Sequence, residues 1–427
     1  MSEPIVAVVG LGRVGLPLSL VLAATGCEVR GIDINTQMLS SLAEGRMPFV
    51  ENDADQLLAA ELGKRFRAGN DMAAAEGCDY VVLTLGTPVD SNMDPDLSQI
   101  ESSIQELAPH LAKGQTVILR STVNPGTTEW VKAKLEDEFG YRVGEDIYLA
   151  FCPERIAEGR ALKELHEIPQ IVGGIDAVST EKALALFRRL GVECHQTDAL
   201  SAELAKLFTN MYRYINFSIA NEFMILAGQW HCDINHIVDL VNTGYPRGGL
   251  ARPGLTAGPC LFKDGFFLIN QLPFTELIST AWKINESVPL FMVSAVKGEI
   301  ELRNANAVIM GAAFKADSDD DRQSLSYKVQ KALRRERAQV RMHDPYVPGL
   351  ETDLAAMLVD ADVVFVAINH TEYKAIGLER LRAMVKTDCL ICDIWNVFGT
   401  NHTIFRAGDP NPTTSLQPRI AMGRIAD

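Results

Sequence analysis

Residues 5–15 read IVAVVGLGRVG: an apolar run of five, then G-x-G-x-x-G, and then the helical pattern of LPLSLVLAATG. A short buried strand that turns through glycines into a helix needs parallel strands on both sides, so this feature narrows the fold more than any other. EVRGID follows as a second strand ending in Asp33. Gly10, Gly12 and Gly15 let backbone amides approach a pyrophosphate at the helix N-terminus, with Arg13 and Val14 completing the loop. A carboxylate at the position of Asp33 accepts ribose hydroxyls and repels a 2′-phosphate, which favours NAD over NADP.

The alternation continues. A helix is expected over 36–44, and DYVVLTLGTP and TVILRST read as buried strands. The same rhythm returns near the C-terminus: NAVIMGAAF, a helix through SYKVQKALRRE, then AQVRMHDP, DVVFVAINH and DCLICDIWN. Gly10, Asp33 and VVLTLGTP match Gly311, Asp344 and VVFVAINH, a coarse internal repeat. The fold class is therefore α/β, with two Rossmann-like doubly wound domains joined by a long central helical region. Residues 199–242 lack strand alternation and carry apolar residues at helical spacing, read either as a dimer surface or as a core helix of one domain. The expected divisions are 1–198, 199–300 and 301–427.

Composition excludes several classes. A formal net charge of −15 with no basic stripe argues against a nucleic-acid partner. No apolar stretch reaches the roughly 18 residues that span a bilayer, so no membrane partner is expected. The start MSEPIVAVVGLG lacks the pattern of a signal peptide, and 8 cysteines then imply free thiols in a reducing cytoplasm. Cys389 and Cys392 are read as strand residues, not as a redox or metal pair. His195, His231, His236, His343 and His370 show no metal-ligand spacing, and no metal is expected.

GLTAGPCLFKD, residues 254–264, places Cys260 in a glycine–proline loop just ahead of Lys263 and Asp264. A single alcohol oxidation needs no thiol. A second oxidation does, because a free aldehyde has no carbinol hydrogen until a thiolate adds to it. The resulting thiohemiacetal can yield a second hydride, and water then releases an acid from the thioester.

These segments together resemble the nucleotide-sugar 6-dehydrogenases, the family of UDP-glucose, GDP-mannose and UDP-N-acetylhexosamine dehydrogenases. VVGLGRVGLPLSLVLA, STVNPGTTE, CPERIAEG, ELAKLFTNMYRYINFSIANE, GPCLFKD and GAAFKADSDDDRQS are similar to its successive signatures, in order and over nearly the whole chain. The resemblance implies that Cys260 is the nucleophile, that Lys206 steadies the developing oxyanion beside Asn210, and that Asp264 assists with water and the lysine. It implies that Glu154 and Glu158 form an acidic pair near the substrate, that Thr122 helps place a water, and that Thr87 lies near the nicotinamide. Arg322 is implied to contact substrate, often across a dimer interface, and Arg155, Tyr245, Arg247, Gly254, Phe314 and Lys315 are expected around the nucleotide sugar. Asp264 has a second reading as the cap of the helix beginning GFFLINQL.

Phe262 stands where most relatives have proline, and GAAF lacks the usual leucine in its second position. Arg155 in CPER resembles the N-acetylhexosamine branch, whereas Glu158 with Gly159, and Lys263, resemble the glucose branch. Two clues against one favour an unsubstituted hexose such as UDP-glucose. A single-step β-hydroxyacid dehydrogenase also joins a dinucleotide domain to a helical domain with a lysine, but it has no use for Cys260 or for residues 305–400. A non-catalytic NAD(H) sensor would not need Lys206, Cys260 and Asp264 together.

Overall fold

The computed structural model describes residues 3–90, 93–230, 232–259, 261–269 and 275–410. It divides into two compact units, one of residues 1–210 with 263–273, the other of 211–262 with 274–427.

The first unit is built on eight strands: β1 (Ile5–Val9), β2 (Glu28–Ile32), β3 (Phe66–Gly69), β4 (Tyr80–Leu83), β5 (Thr116–Leu119), β6 (Tyr148–Phe151), β7 (Gln170–Gly174) and β8 (Cys194–Asp198). Their order is β3-β2-β1-β4-β5-β6-β7-β8. The first six follow the order of a doubly wound dinucleotide fold. All pairs are parallel except β6 with β7. The central strands are apolar on both faces, as a sheet covered by helices on both sides requires. Val6 and Val8 face one core, and Ala7 and Val9 the other.

The second unit carries β9 (Asn306–Met310), β10 (Gln339–His343), β11 (Val363–Val366), β12 (Leu390–Asp393) and β13 (Ile404–Arg406), in the order β10-β9-β11-β12-β13. Only β13 runs antiparallel. The repeat holds at atomic detail. Gly10 and Gly311 have φ of 92° and 103°. Their N–H groups donate to the carbonyls of Ile32 and His343, each at 2.8 Å. DCLICDIWN is shorter as a strand than its composition suggests: Cys389 precedes β12 and only Cys392 lies within it, though both are buried.

The apolar spacing over 199–242 forms a 31-residue helix, Ala199–Gln229, followed by a separate helix, Ile234–Asn242. The long helix hides polar residues among its apolar ones: Glu203, Asn210, Ser218 and Asn221 are buried. Buried polar side chains need partners, and these partners organise the site.

Candidate active site

In the first unit, β1 turns at Gly10 and the helix Gly15–Ala24 begins with no side chain capping its first turn. Thr84 Oγ1 donates to the Gly10 carbonyl at 2.6 Å. A Cβ on Gly15 would fall 1.8 Å from that carbonyl oxygen, so this glycine serves helix–strand packing. A Cβ on Gly12 would meet nothing within 4 Å, which leaves the loop open where a phosphate approaches. Asp33 accepts from Leu11 N at 2.6 Å through one oxygen and from Asn35 N at 2.8 Å through the other. Each oxygen keeps a lone pair for a ribose hydroxyl. The open loop, the uncapped helix end and Asp33 fit a dinucleotide.

Arg13 stacks over the Phe49 ring at 5.1 Å and lies 3.9 Å from Glu158. Glu158 is thus held toward the phosphate loop. Its segment is fixed by Glu51, whose two oxygens accept from Gly159 N and Ala161 N, each at 2.8 Å.

Glu154 has different neighbours. One oxygen accepts from the backbone N–H groups of Arg155 and Ile156, at 2.7 and 3.0 Å. The other is gripped by Nε and Nη2 of Arg120, a guanidinium 1% exposed that also stacks on Phe187 and donates to Cys152 O and Gln170. All four lone-pair positions of the Glu154 carboxylate are therefore engaged. Arg155 donates from Nη2 to Pro169 O, which staples the same turn.

A second polar cluster joins the long helix to the one-turn helix Leu261–Asp264. Asn210 Nδ2 donates to Asp264 Oδ2 at 2.6 Å, and both residues are buried. Lys263 Nζ donates to Thr87 Oγ1 at 3.2 Å, and Thr87 donates to the carbonyl of Thr122 at 2.6 Å. Asp264 does not cap the helix that follows, because its carboxylate turns to Asn210 instead of to a backbone N–H. One turn earlier on the long helix, Lys206 has no hydrogen bond or ion pair to any described residue. Glu203, fully buried, accepts from Gly126 N and from Thr128 N and Oγ1 at 2.6–2.8 Å. Burial pushes its carboxyl up, against the pull of these donors. Glu203 caps the helix Thr127–Phe139 and so ties the helix of Lys206 and Asn210 to the loop bearing Thr122.

In the second unit, the segment ahead of Cys260 is a buried strap. Asn221 clamps Gly254, accepting from its N–H at 2.9 Å and donating to its carbonyl at 3.1 Å. A Cβ on Gly254 would fall 2.3 Å from the Trp395 indole, and one on Gly258 would fall 2.5 Å from the Phe314 ring. Tyr245 and Arg247 pair with each other, Nε to OH at 2.9 Å. Arg322 is engaged with Asp320 through Nε and Nη2, at 2.6–3.0 Å. Lys315 follows Phe314 in the loop after β9. Asp344, the counterpart of Asp33, accepts from Ala312 N, Ala313 N, Tyr346 N, Val347 N and His370 Nε2. Burial raises its pKa, but these donors outweigh it and hold the carboxyl at about 2. With five donors already bound, Asp344 has no acceptor left for a ribose, so the second sheet is not a second dinucleotide site.

Cys260 and His231 lie outside the described residues, as does the side chain of Phe262. Sequence reasoning did not single out Arg120, Glu203 or Glu51, and it treated Lys263 only as a mark of sugar type.

Three family models cover the chain: the NAD binding domain of the UDP-glucose/GDP-mannose dehydrogenase family over residues 5–191, its central domain over 200–287, and its UDP binding domain over 308–400. The chain belongs to the UDP-glucose/GDP-mannose dehydrogenase family. Like the rest of that family, it is an NAD-dependent oxidoreductase acting on a nucleotide sugar. It is 33% identical over 396 residues to the UDP-N-acetyl-D-mannosamine dehydrogenase of Pyrococcus horikoshii, covering 90% of this chain and 94% of that one. It is 33% identical over 405 residues to an NDP-N-acetyl-D-galactosaminuronic acid dehydrogenase of Ralstonia nicotianae, covering 90% and 95%. The solved structure of a UDP-D-ManNAc dehydrogenase from Pyrococcus horikoshii superposes with a TM-score of 0.84 at 33% identity, covering 90% of this chain and 93% of that one. The UDP binding domain falls on strands β9 to β12 of the second sheet.

Proposed function

We propose that the chain oxidises the C6 hydroxyl of a UDP-N-acetylhexosamine to the acid in two NAD-dependent steps, with a covalent intermediate on Cys260. Gly10, Gly12, Gly15 and Asp33 would hold NAD, which when bound would supply the hydride acceptor for both oxidations. The remaining chemistry falls to the chain itself. The hydroxyl proton leaves to a base as the first hydride departs, giving the aldehyde. The Cys260 thiolate adds to that carbonyl carbon, and the oxygen gains negative charge, which the ammonium of Lys206 and the amide of Asn210 stabilise. Loss of the second hydride leaves a thioester. Water positioned by Asp264 and Thr122 adds to it, and the C–S bond breaks to return the thiol and release the carboxylate.

The observation that carries the reaction type is the cluster in which Asn210, Asp264, Lys263, Thr87 and Thr122 are linked, with Lys206 one turn away and without a partner among the described residues. Support for the acetamido sugar comes from the relatives, named for N-acetylated substrates, and from Arg155 in CPER. The unsubstituted hexose is the second reading, favoured by Glu158 and Lys263, both of which are engaged in the first unit. A screen of UDP-N-acetylmannosamine, UDP-N-acetylglucosamine, UDP-N-acetylgalactosamine and UDP-glucose separates the two. The acetamido reading requires the highest kcat/KM on one of the first three, and the highest value on UDP-glucose would reverse the assignment.

The long helix and the residue just after it leave Phe208, Tyr212, Ile219, Phe223, Leu226 and Trp230 exposed at spacings of three, four and seven, with Tyr212 at 72% and Trp230 at 70%. A stripe of this kind fits a homodimer built on this helix, and light scattering should return twice the chain mass. The described cysteines are all free, which suits a reducing cytoplasm.

A further inference from the structure

Neighbouring residues on a helix point apart, yet Lys263 folds back to within 3.3 Å of Asp264 Oδ1. Its end is held there by Thr87 Oγ1 at 3.2 Å and by the face of Phe267, 4.4 Å from the ring centroid. The Lys263 side chain is 13% exposed and Asp264 is fully buried. Asp264 Oδ2 takes the Asn210 amide, whereas Oδ1 receives no hydrogen bond. Asn210 is neutral, so among the described residues Lys263 supplies the one formal charge at ion-pair distance. Lys206, one turn before Asn210, pairs with none of them.

We infer that Lys263 is a positioning residue: its ammonium is the counter-charge that lets the Asp264 carboxylate stay buried against Asn210, and this leaves Lys206 as the ammonium free to meet the substrate. The inference rests on the reading that Asp264 takes part in the oxidation. The physical ground is that a buried carboxylate without a counter-ion takes up a proton more readily.

The test compares Lys263→Met and Lys263→Arg with the unaltered chain by two readouts. One is the pH profile of kcat/KM on the best nucleotide sugar. In Lys263→Met the acid limb should move up by about one pH unit or more, and Lys263→Arg should restore it. The other is Tm against pH without substrate. In Lys263→Met the Asp264 carboxyl titrates higher in the folded than in the unfolded chain. Stability should therefore rise as pH falls through that raised value and be lost as pH rises through it. The unaltered chain and Lys263→Arg should lack this added rise, read as the difference between Tm–pH curves, because the burial-raised Asp393 carboxyl gives every variant the same background slope. Adding Asp264→Asn to Lys263→Met should abolish it. A Lys263→Met protein with an unmoved acid limb and a Tm–pH curve unchanged from that of the unaltered chain overturns the inference, as does an added rise that survives Asp264→Asn. If no nucleotide sugar is oxidised, the functional reading fails, and the Tm–pH comparison still decides whether Lys263 compensates Asp264.

Discussion

Replacing Gly12 by alanine separates cofactor binding from folding in a way that its neighbours do not allow. A Cβ at position 15 would sit 1.8 Å from Gly10 O and 2.3 Å from Thr84 Oγ1. Such overpacking costs about 1–3 kcal/mol, and loss of the Thr84–Gly10 hydrogen bond adds about 1 kcal/mol. For a unit of this size each kcal/mol lowers Tm by about 2–4 °C, so Gly15→Ala should lose roughly 4–16 °C. Gly12 has no atom within 4 Å of the added methyl and no left-handed φ, so Gly12→Ala should stay within about 0.5 kcal/mol of the parent. The methyl nonetheless occupies the space through which a pyrophosphate reaches the backbone amides. NAD affinity should fall at least about tenfold, or ~1.4 kcal/mol. Calorimetric unfolding gives the first quantity, and titration followed by NADH fluorescence gives the second. A Gly12→Ala protein that binds NAD as well as the parent, or that loses as much stability as Gly15→Ala, would refute this account of the loop.

Arg120→Met leaves the buried Glu154 without its guanidinium and should cost about 3–5 kcal/mol, much of it recovered when Glu154→Leu is added; denaturant unfolding of the single and double variants checks this. Burial pushes the Asp393 carboxyl up to about 6 from an ordinary 3.8, against the pull of its backbone donors. A raised folded-state value means that stability is greatest below the unfolded value and falls by ~3 kcal/mol as pH rises from about 4 to about 6. Asp393→Asn should flatten that part of the stability–pH curve. Gly254→Ala should cost about 1–3 kcal/mol against the Trp395 indole, and Trp395→Ala in the same chain should remove the penalty, measured as a double-mutant coupling energy.

Local features of this chain were legible in its sequence because they repeat at short range. The glycine loop, Asp33, the strand–helix alternation and the 199–229 helix all follow from patterns within a dozen residues of each other, and Gly311 and Asp344 follow from their likeness to Gly10 and Asp33. What stayed hidden is long-range pairing of polar groups. Asn210 and Asp264 lie 54 residues apart, and Thr87 and Lys263 lie 176 apart. No periodicity encodes such contacts. Arg120 just past the apolar run of TVILRST and Glu203 in an apolar stripe do leave a trace, since a charge at a position the pattern assigns to the core needs a partner. Asp264 misled in part: a carboxylate at a helix boundary usually caps, and here the tertiary partner wins.

Counting the NADH formed per nucleotide sugar consumed tests the central claim most directly, with the unaltered chain and Cys260→Ala side by side on the preferred UDP-hexose. The two-step account predicts two NADH per sugar for the unaltered chain, and loss of the acid product in Cys260→Ala. One NADH per sugar in the unaltered chain, or two at near-parent rate in Cys260→Ala, would contradict it.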